Sequence, residues 1–446
     1  MSEAAGIRFS VRPGGKLSGR LRVPGDKSIS HRAIMLGSLA TGETRVSGFL
    51  EGEDSLATLA AFRAMGVQID GPNAGVVHIQ GVGMHGLQAP RDKLYLGNSG
   101  TSMRLMSGLL AGQAFDTTLT GDASLSGRPM QRVVRPLTSM GARIDATPAG
   151  TAPLLIHGGS NLSGIDYAMP VASAQVKSSV LLAGLYAHGR TCVTEPAPTR
   201  DHTERMLAGM GYPLQCDTGL VCLEGGHTLH GISIDIPADI SSAAFFLVGA
   251  SIAAGSDLLL EHVGMNPTRT GVIEILQRMG AAIEVSNARD VGGEPVADLQ
   301  VRPAPLQGIE IPAALVPLAI DEFPVIFVAA ACAEGRTVLG GAEELRVKES
   351  DRIQVMADGL NALGVSAEAT PDGMIIEGGT IGGGCVDSHG DHRIAMAFAM
   401  AALRAEGAIE ILDCANVNTS FPGFVALAGA AGLDITSAAT AGTGAE

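Results

Sequence analysis

The chain repeats itself at a spacing near 70 residues, and this periodicity restricts its fold more than any other feature. A helix-like run closed by glycine, followed by a strand-like stretch, recurs six times. The closing triplets are Ala64-Met65-Gly66, Ser139-Met140-Gly141, Gly209-Met210-Gly211, Arg278-Met279-Gly280, Ala362-Leu363-Gly364 and Ala430-Ala431-Gly432. Their final glycines lie 75, 70, 69, 84 and 68 residues apart. A second series, strongly apolar runs ending at Gly42, Gly112, Gly189, Gly255, Gly335 and Gly407, has intervals of 70, 77, 66, 80 and 72. Solenoid repeats are shorter, roughly 20–50 residues, so six copies of a small α/β unit fit better, three to a domain. Polar residues cluster where the apolar runs begin. That predicts a set of helix N-termini facing one cleft, an arrangement suited to anions.

The two helix types differ in pattern. In the first series, Ile353, Met356, Leu360 and Leu363 follow helical spacing with Asp351, Gln354 and Asp358 between them, which predicts an amphipathic surface helix stopped by Gly364. The second series is apolar all round, as in Val180-Leu181-Leu182-Ala183-Gly184-Leu185 and Ile394-Ala395-Met396-Ala397-Phe398. Such helices belong in a domain interior, and their alanines and glycines allow close packing. Each is followed by a β-rich stretch such as Thr117-Thr118-Leu119 or Thr337-Val338-Leu339. The predicted unit is therefore strand–helix–strand–helix–strands, with buried helices inside and sheets outside. Three repeats fall in residues 23–237. The other three occupy 238–446, together with 1–22, with the crossover at Asp235-Ile236-Pro237-Ala238-Asp239. A first strand near Phe9 to Val11 is expected to pair with the second half.

Bulk properties exclude several function classes. The net charge is −15, from 30 basic and 45 acidic residues, which argues against a nucleic-acid surface. With no Trp and 3% aromatics, few stacking platforms exist for bases. Charged residues are only 17% and hydrophobic ones 46%, so much helix surface must be buried. The start of the chain lacks the apolar core of a signal peptide. The longest apolar stretch, Ile240 to Ala254, falls short of the ~18–20 residues that cross a bilayer. The expectation is a cytoplasmic protein acting on small molecules. Six cysteines show no C-x-x-C pair and no zinc spacing, which predicts free, mostly buried thiols.

The densest chemical signal is Pro24-Gly25-Asp26-Lys27-Ser28-Ile29-Ser30-His31-Arg32, opening the first buried helix. A Lys, two Ser and an Arg at a helix start suit phosphate or carboxylate. It is not a Walker loop, because Gly19 lies six residues before Gly25 and Asp26 intervenes before Lys27. The same phase is decorated in later repeats by Leu96-Gly97-Asn98-Ser99-Gly100-Thr101 before Arg104, by Ser173-Ala174-Gln175-Val176-Lys177, by Ser241-Ser242, by Asp321-Glu322 and by Asp391-His392-Arg393. Capping accounts for Ser, Thr and Asp at such places. It does not account for Lys, Gln and Arg, since a cation at a helix N-terminus opposes the macrodipole unless an anion intervenes. Two basic clusters lead amphipathic helices: Gly127-Arg128-Pro129-Met130, and Leu345 to Arg352, where Lys348 and Arg352 are expected at i,i+4 on one face. His389-Gly390-Asp391-His392 has no accompanying third cluster, so no metal site is predicted.

Together these motifs resemble the enolpyruvyl transferase family, in the branch acting on shikimate 3-phosphate. The matching strings are Pro24–Arg32, Leu96–Arg104, Gly127-Arg128-Pro129, Ser173-Ala174-Gln175, Asn266-Pro267-Thr268-Arg269, Arg346–Arg352 and Asp391-His392-Arg393. They run in family order along nearly the whole chain. The resemblance implies a two-domain inside-out α/β barrel fold, each domain three βαβαββ-like units, with the active site in the cleft between domains. The implied reaction moves the carboxyvinyl group of phosphoenolpyruvate to the 5-hydroxyl of shikimate 3-phosphate and releases phosphate. By motif match, Lys27, Ser28, Arg32, Ser173, Ala174, Gln175, Arg200, Asp321 and Lys348 surround shikimate 3-phosphate. Lys27, Gly100, Arg128, Gln175, Arg352 and Arg393 surround phosphoenolpyruvate. Asp321 matches the proton acceptor, and Lys348 and Glu349 are the acid/base candidates at the vinyl carbon. A monomer without metal or organic cofactor is implied. So is a glyphosate site in the phosphoenolpyruvate pocket, where insensitive relatives can carry Ala at the position of Gly100.

Two departures stand out. Many relatives carry a Lys where this chain has Asn418-Thr419-Ser420-Phe421-Pro422. Ser173-Ala174-Gln175 and Ile320-Asp321-Glu322-Phe323-Pro324 resemble the divergent bacterial branch. The sister transferase acting on UDP-N-acetylglucosamine uses a Cys in the loop that here reads Gly121-Asp122-Ala123-Ser124-Leu125-Ser126-Gly127, so it fits poorly. A non-catalytic anion binder on the same fold would not require Asp321, Lys348 and Glu349 together.

Overall fold

The computed structural model describes residues 6–439. By internal contact the chain divides into two compact units. One is Gly25–Pro237 together with Asp290–Glu294; the other comprises the chain up to Pro24, Ala238–Arg289 and Pro295 onward.

The first unit is built on three apolar helices, Lys27–Leu39, Gly100–Ala111 and Ala174–Gly184, whose residues are nearly all buried. Leu94–Tyr95 enters the second of these and runs parallel to Thr117–Thr120, which leaves it. Asp166–Ala168 and Arg190–Thr194 flank the third helix in the same way. For the first helix the parallel partners of Ala40–Ser47 are Leu229–His230 and Ser233–Asp235, from the far end of the unit. Each exiting strand then pairs antiparallel with the inner strand of a two-stranded ribbon, and an amphipathic helix (Glu53–Ala64, Gln131–Ser139 or His202–Gly209) connects the two. The core is one continuous apolar cluster. The second and third buried helices pass backbone to backbone: a Cβ on Gly108 would stand 1.9 Å from the Ser179 carbonyl oxygen, a separation only glycine permits.

The second unit repeats the plan with Ile240–Ile252, Phe323–Ala331 and His392–Ala401. Ser18–Leu21 runs parallel to Asp257–Gly264, and Gly384–Asp387 parallel to Ile409–Leu412. The first strand, Ile7–Val11, lies antiparallel between Ile409–Leu412 and Ile435–Ala439, so it completes a sheet of the second half as its sequence suggested. The fifth repeat has a three-stranded sheet ordered Arg336–Leu339, Gly373–Glu377, Ser366–Thr370.

The six glycines that close the amphipathic helices all have left-handed φ, of 87°, 100°, 83°, 98°, 85° and 120° in chain order, the conformation that ends a helix at low cost. Gly112 of the second series differs, with φ of −88°. It is needed for space, since a Cβ there would meet the Tyr186 ring at 2.3 Å.

The cysteines depart from expectation. Cys192 and Cys222 are directly opposed on antiparallel strands and joined as a disulfide, while Cys216 and Cys385 are exposed. Strand register brings the pair together, and spacing along the chain does not reveal register. Among the described residues no helix is long and apolar enough to cross a membrane.

Candidate active site

The first unit gathers its polar side chains at the N-terminal ends of its buried helices. Asp26 caps the first helix, accepting from the Ile29 amide at 2.9 Å. Lys27 follows at the first helical position, and its ammonium is ion-paired with the nearly buried Asp54 of the neighbouring helix. Ser28 is half-buried, and its carbonyl accepts from Arg32 Nη1 at 3.0 Å. Arg32 is 3% exposed. It also donates from Nε to Thr203 Oγ1 at 2.7 Å and from Nη2 to Ser178 Oγ at 2.8 Å, so three of its nitrogens are engaged within the unit. Burial pulls its pKa down to about 10 against the pull of Glu204 and Asp26, with Arg200 close enough to lower it further. Arg200 itself is half-buried.

His31 is completely buried beside this group. Its Nδ1 lies 2.8 Å from Thr58 Oγ1 and 3.2 Å from Ser102 Oγ, and its Nε2 is 3.4 Å from Ser99 Oγ. Burial, then the adjacent Lys27 and Arg32, hold the imidazole pKa well below its usual value. It is therefore a neutral link between three helices.

Gly100 opens the second buried helix, with Ser99 as the cap. Arg128 is 7% exposed and donates from Nη2 to Asn98 Oδ1 at 2.5 Å and to Ser124 Oγ at 3.2 Å. Asn98 in turn donates to Asp122 at 2.7 Å. Arg104 donates to Gln175 Oε1 and to the Pro129 carbonyl, while Gln175 Nε2 donates to Thr101 Oγ1 at 3.0 Å. A Cβ on Gly100 would stand 3.2 Å from both Arg104 Nη1 and Arg128 Nη1. Gly100, Arg104, Arg128 and Gln175 thus form one group. Ser173 caps the third helix through the Val176 amide, and Ala174 is its first residue. Lys177 carries the same sequence signal as Lys27 but is 1% exposed, 2.7 Å from Glu204 and 3.1 Å from Glu195. Burial lowers its pKa, yet the two glutamates outweigh that and raise it overall.

The second unit gathers a cluster of different composition. Arg352 is 1% exposed. Its Nε lies 2.8 Å from Asp391 Oδ2, Nη1 3.3 Å from Asp321 Oδ1 and Nη2 2.5 Å from Glu349 Oε2. Burial opposes its charge, but Asp391, Glu349 and Asp321 together raise its pKa. Burial likewise works against the Asp391 carboxylate, and Arg352 overrides it, holding that pKa below the ordinary value. Asp391 also caps the sixth buried helix through the Arg393 amide at 2.9 Å. Lys348 Nζ is 3.6 Å from Asp321 Oδ1 and 3.8 Å from Glu344. Arg393 donates from Nη1 to the Asp321 carbonyl at 2.8 Å.

The predicted helical i,i+4 relation of Lys348 and Arg352 does not exist. Glu343–Val347 is a short 3-10 turn, Lys348 has left the helical region, and the α-helix begins at Arg352. The two cations meet instead on the Asp321 carboxylate. Arg346, in the same motif, pairs with Asp351 and two carbonyls. Arg269 of the Asn-Pro-Thr-Arg string is buried against Asp239 and Ser241. Asp54 was not singled out in the sequence, Arg104 and Glu322 were named only as members of motifs, and the grip of Asp391 on Arg352 was not foreseen. Among the described residues no group of three or more His, Cys, Asp or Glu is placed to hold a metal ion.

Both clusters consist of cations held on buried frames near helix starts, and the cluster of the second unit adds the carboxylates Asp321, Glu349 and Asp391. The family model for EPSP synthase (3-phosphoshikimate 1-carboxyvinyltransferase) matches residues 11–427, and the chain belongs to that family. It is 74% identical to the 3-phosphoshikimate 1-carboxyvinyltransferase of Alkalilimnicola ehrlichii over 96% of this chain and 97% of that one. The enzyme of that name from Methylococcus capsulatus is 70% identical, over 96% of this chain and 98% of its own. The solved structure of EPSP synthase from Acinetobacter baumannii superposes with a TM-score of 0.88 at 58% identity, covering 97% of this chain and all of that one. The enolpyruvyl transferase NikO from Streptomyces tendae shares the fold, with a TM-score of 0.78 at 17% identity.

Proposed function

We infer that this chain carries out the reaction of its family: it transfers the enolpyruvyl group of phosphoenolpyruvate to the 5-hydroxyl of shikimate 3-phosphate and releases phosphate, in the shikimate pathway to chorismate and the aromatic amino acids. The acid/base group supports this most directly, with Asp321 within 3.6 Å of both Lys348 and Arg352 and Glu349 on the same guanidinium. A binding protein for anions has no need of three carboxylates around its cations.

In the addition step the vinyl CH2 of phosphoenolpyruvate takes a proton from Lys348 or Glu349. The hydroxyl oxygen attacks the cation-like C2 and passes its proton to Asp321. In the elimination step phosphate leaves C2 and the methyl group returns a proton, restoring the double bond. A positioned acid and base each contribute on the order of 10²–10⁴ in rate. Lys27, Ser28, Arg32, Ser173, Ala174, Gln175, Arg200 and Lys348 hold shikimate 3-phosphate; Lys27, Gly100, Arg128, Gln175, Arg352 and Arg393 hold phosphoenolpyruvate. Cations concentrated at these places let a protein of net charge −15 attract polyanions. The enzyme acts as a cytoplasmic monomer, without nucleic acid, metal or organic cofactor. Phosphate release with both substrates, followed by a coupled assay, tests the assignment: release dependent on both is expected, and none with the folded protein overturns it.

A further inference from the structure

Glu322 lies beside the residues assigned above but is not among them. It is 2% exposed, immediately precedes Phe323–Ala331, and makes no side-chain cap for that helix. Its Oε1 instead accepts from Ser241 Oγ, stands 3.5 Å from Arg393 Nη1 and 3.8 Å from Arg269 Nη2. Arg269 is 3% exposed and donates from the same nitrogen to Ser241 Oγ at 2.6 Å, with Asp239 Oδ1 at 3.3 Å. Asp239 also caps its helix through the Ser241 amide at 2.8 Å. One carboxylate oxygen therefore sits between two guanidinium groups, with a serine hydroxyl bridging it to the more deeply buried one.

We propose that Glu322 is a positioning residue for phosphoenolpyruvate binding: it holds the Arg393 guanidinium at the site by clamping it to the buried Arg269–Ser241–Asp239 frame. The inference rests on the assignment of Arg393 to phosphoenolpyruvate. A buried charge is tolerated only when paired, and two guanidinium groups reaching one oxygen repel each other once its charge is gone. Arg393 has a second hold, the Asp321 carbonyl, which accepts from the same Nη1 at 2.8 Å, but that oxygen is neutral and does not balance the guanidinium charge as the Glu322 carboxylate does. Arg269 has Asp239 and Ser241 in reserve, so Arg393 is the group that moves. Shikimate 3-phosphate is not assigned to Arg393, so its binding is left unchanged.

Steady-state kinetics of Glu322→Gln and Arg393→Gln test this. The Gln substitution keeps the shape and the hydrogen bond from Ser241 while removing the charge. Glu322→Gln should raise the KM for phosphoenolpyruvate about ten-fold, with the KM for shikimate 3-phosphate within two-fold of the parent. This corresponds to about 1.4 kcal/mol in binding. A purely structural role would shift both KM values or only lower kcat, and either result overturns the proposal, as does tighter phosphoenolpyruvate binding. If Arg393→Gln leaves the phosphoenolpyruvate KM unchanged, the assignment beneath falls and the proposal with it. If Arg393→Gln raises that KM and Glu322→Gln does not, the proposal alone falls. Should Glu322→Gln not fold, Glu322→Asp retains the charge but withdraws it from Arg393 by one methylene, and the same selective rise is expected.

Discussion

His31 and Asp391 are both wholly buried near the starts of apolar helices, one in each unit: His31 links Thr58, Ser99 and Ser102, and Asp391 grips Arg352. They differ in charge, and the neighbours explain why. His31 lies among hydroxyls with Lys27 and Arg32 close by, so protonation would bury a third cation, and it stays neutral. Asp391 lies 2.8 Å from the buried Arg352, whose charge holds it ionised. The surrounding clusters follow the same division. Around Gly100 the arginines donate to the neutral acceptors Gln175, Asn98, Ser124 and a carbonyl. Around Arg352 they are met by carboxylates that can move protons. The acid/base candidates Asp321 and Glu349 thus stand among the carboxylates of the second unit.

Asp321→Asn attacks that division most directly. The amide keeps size and hydrogen bonding but cannot take the hydroxyl proton, so kcat should fall by about 10²–10⁴. Affinity for shikimate 3-phosphate, measured by calorimetry, should be retained. Near-parental turnover would move the base elsewhere; lost affinity would make Asp321 a binding group and dissolve the contrast between the clusters.

Gly100→Ala probes the other cluster. The added methyl would stand 3.2 Å from two guanidinium nitrogens, both tethered, Arg104 by Gln175 and Arg128 by Asn98. Crowding a tight site costs roughly 1–3 kcal/mol, or about one to two decades in affinity. Glyphosate is longer than phosphoenolpyruvate, so it should lose more. The inhibition constant and the phosphoenolpyruvate KM of both proteins measure this, and equal shifts would show that Gly100 does not discriminate.

Much of the architecture was legible because it follows from periodicity. All-round apolar runs mark the buried helices, and the closing glycines mark the amphipathic ones. The candidate site residues stood out in the sequence by a cation at a helix start, as at Lys27 and Arg393, or only by resemblance, as at Gly100 and Asp321. The same signal at Lys177 misleads, because Glu195 and Glu204 reach it from other segments and satisfy it internally. At Asp391 and Glu322 the difficulty is reversed. A carboxylate at a helix start resembles an ordinary cap, and only packing shows that Asp391 also grips Arg352 and that Glu322 is no cap at all. Lys348 and Arg352 had the right residues on the wrong scaffold: a turn brings them to Asp321, where a helix was expected.

The neutral state of His31 has a smaller, measurable consequence for stability. Its folded pKa lies well below the ordinary 6.5, driven by burial and then by Lys27 and Arg32, with Asp26 opposing. Below pH 6.5 the unfolded chain binds a proton there that the folded chain does not. Stability from this group is therefore complete above that pH and is lost as pH falls toward the folded pKa. For one proton the slope approaches about 1.4 kcal/mol per pH unit. Asp391 is also shifted downward, from 3.8, so its own contribution is lost only at more acid pH and the two windows separate. His31→Asn retains a donor and an acceptor for Thr58 and the serines but cannot titrate. Urea unfolding at pH 7 and pH 5 should show a smaller loss of stability on acidification in the variant than in the parent. An identical loss in both would mean that His31 takes up its proton in the folded state, and the contrast of a neutral hub with an ionised one would fail at its first member.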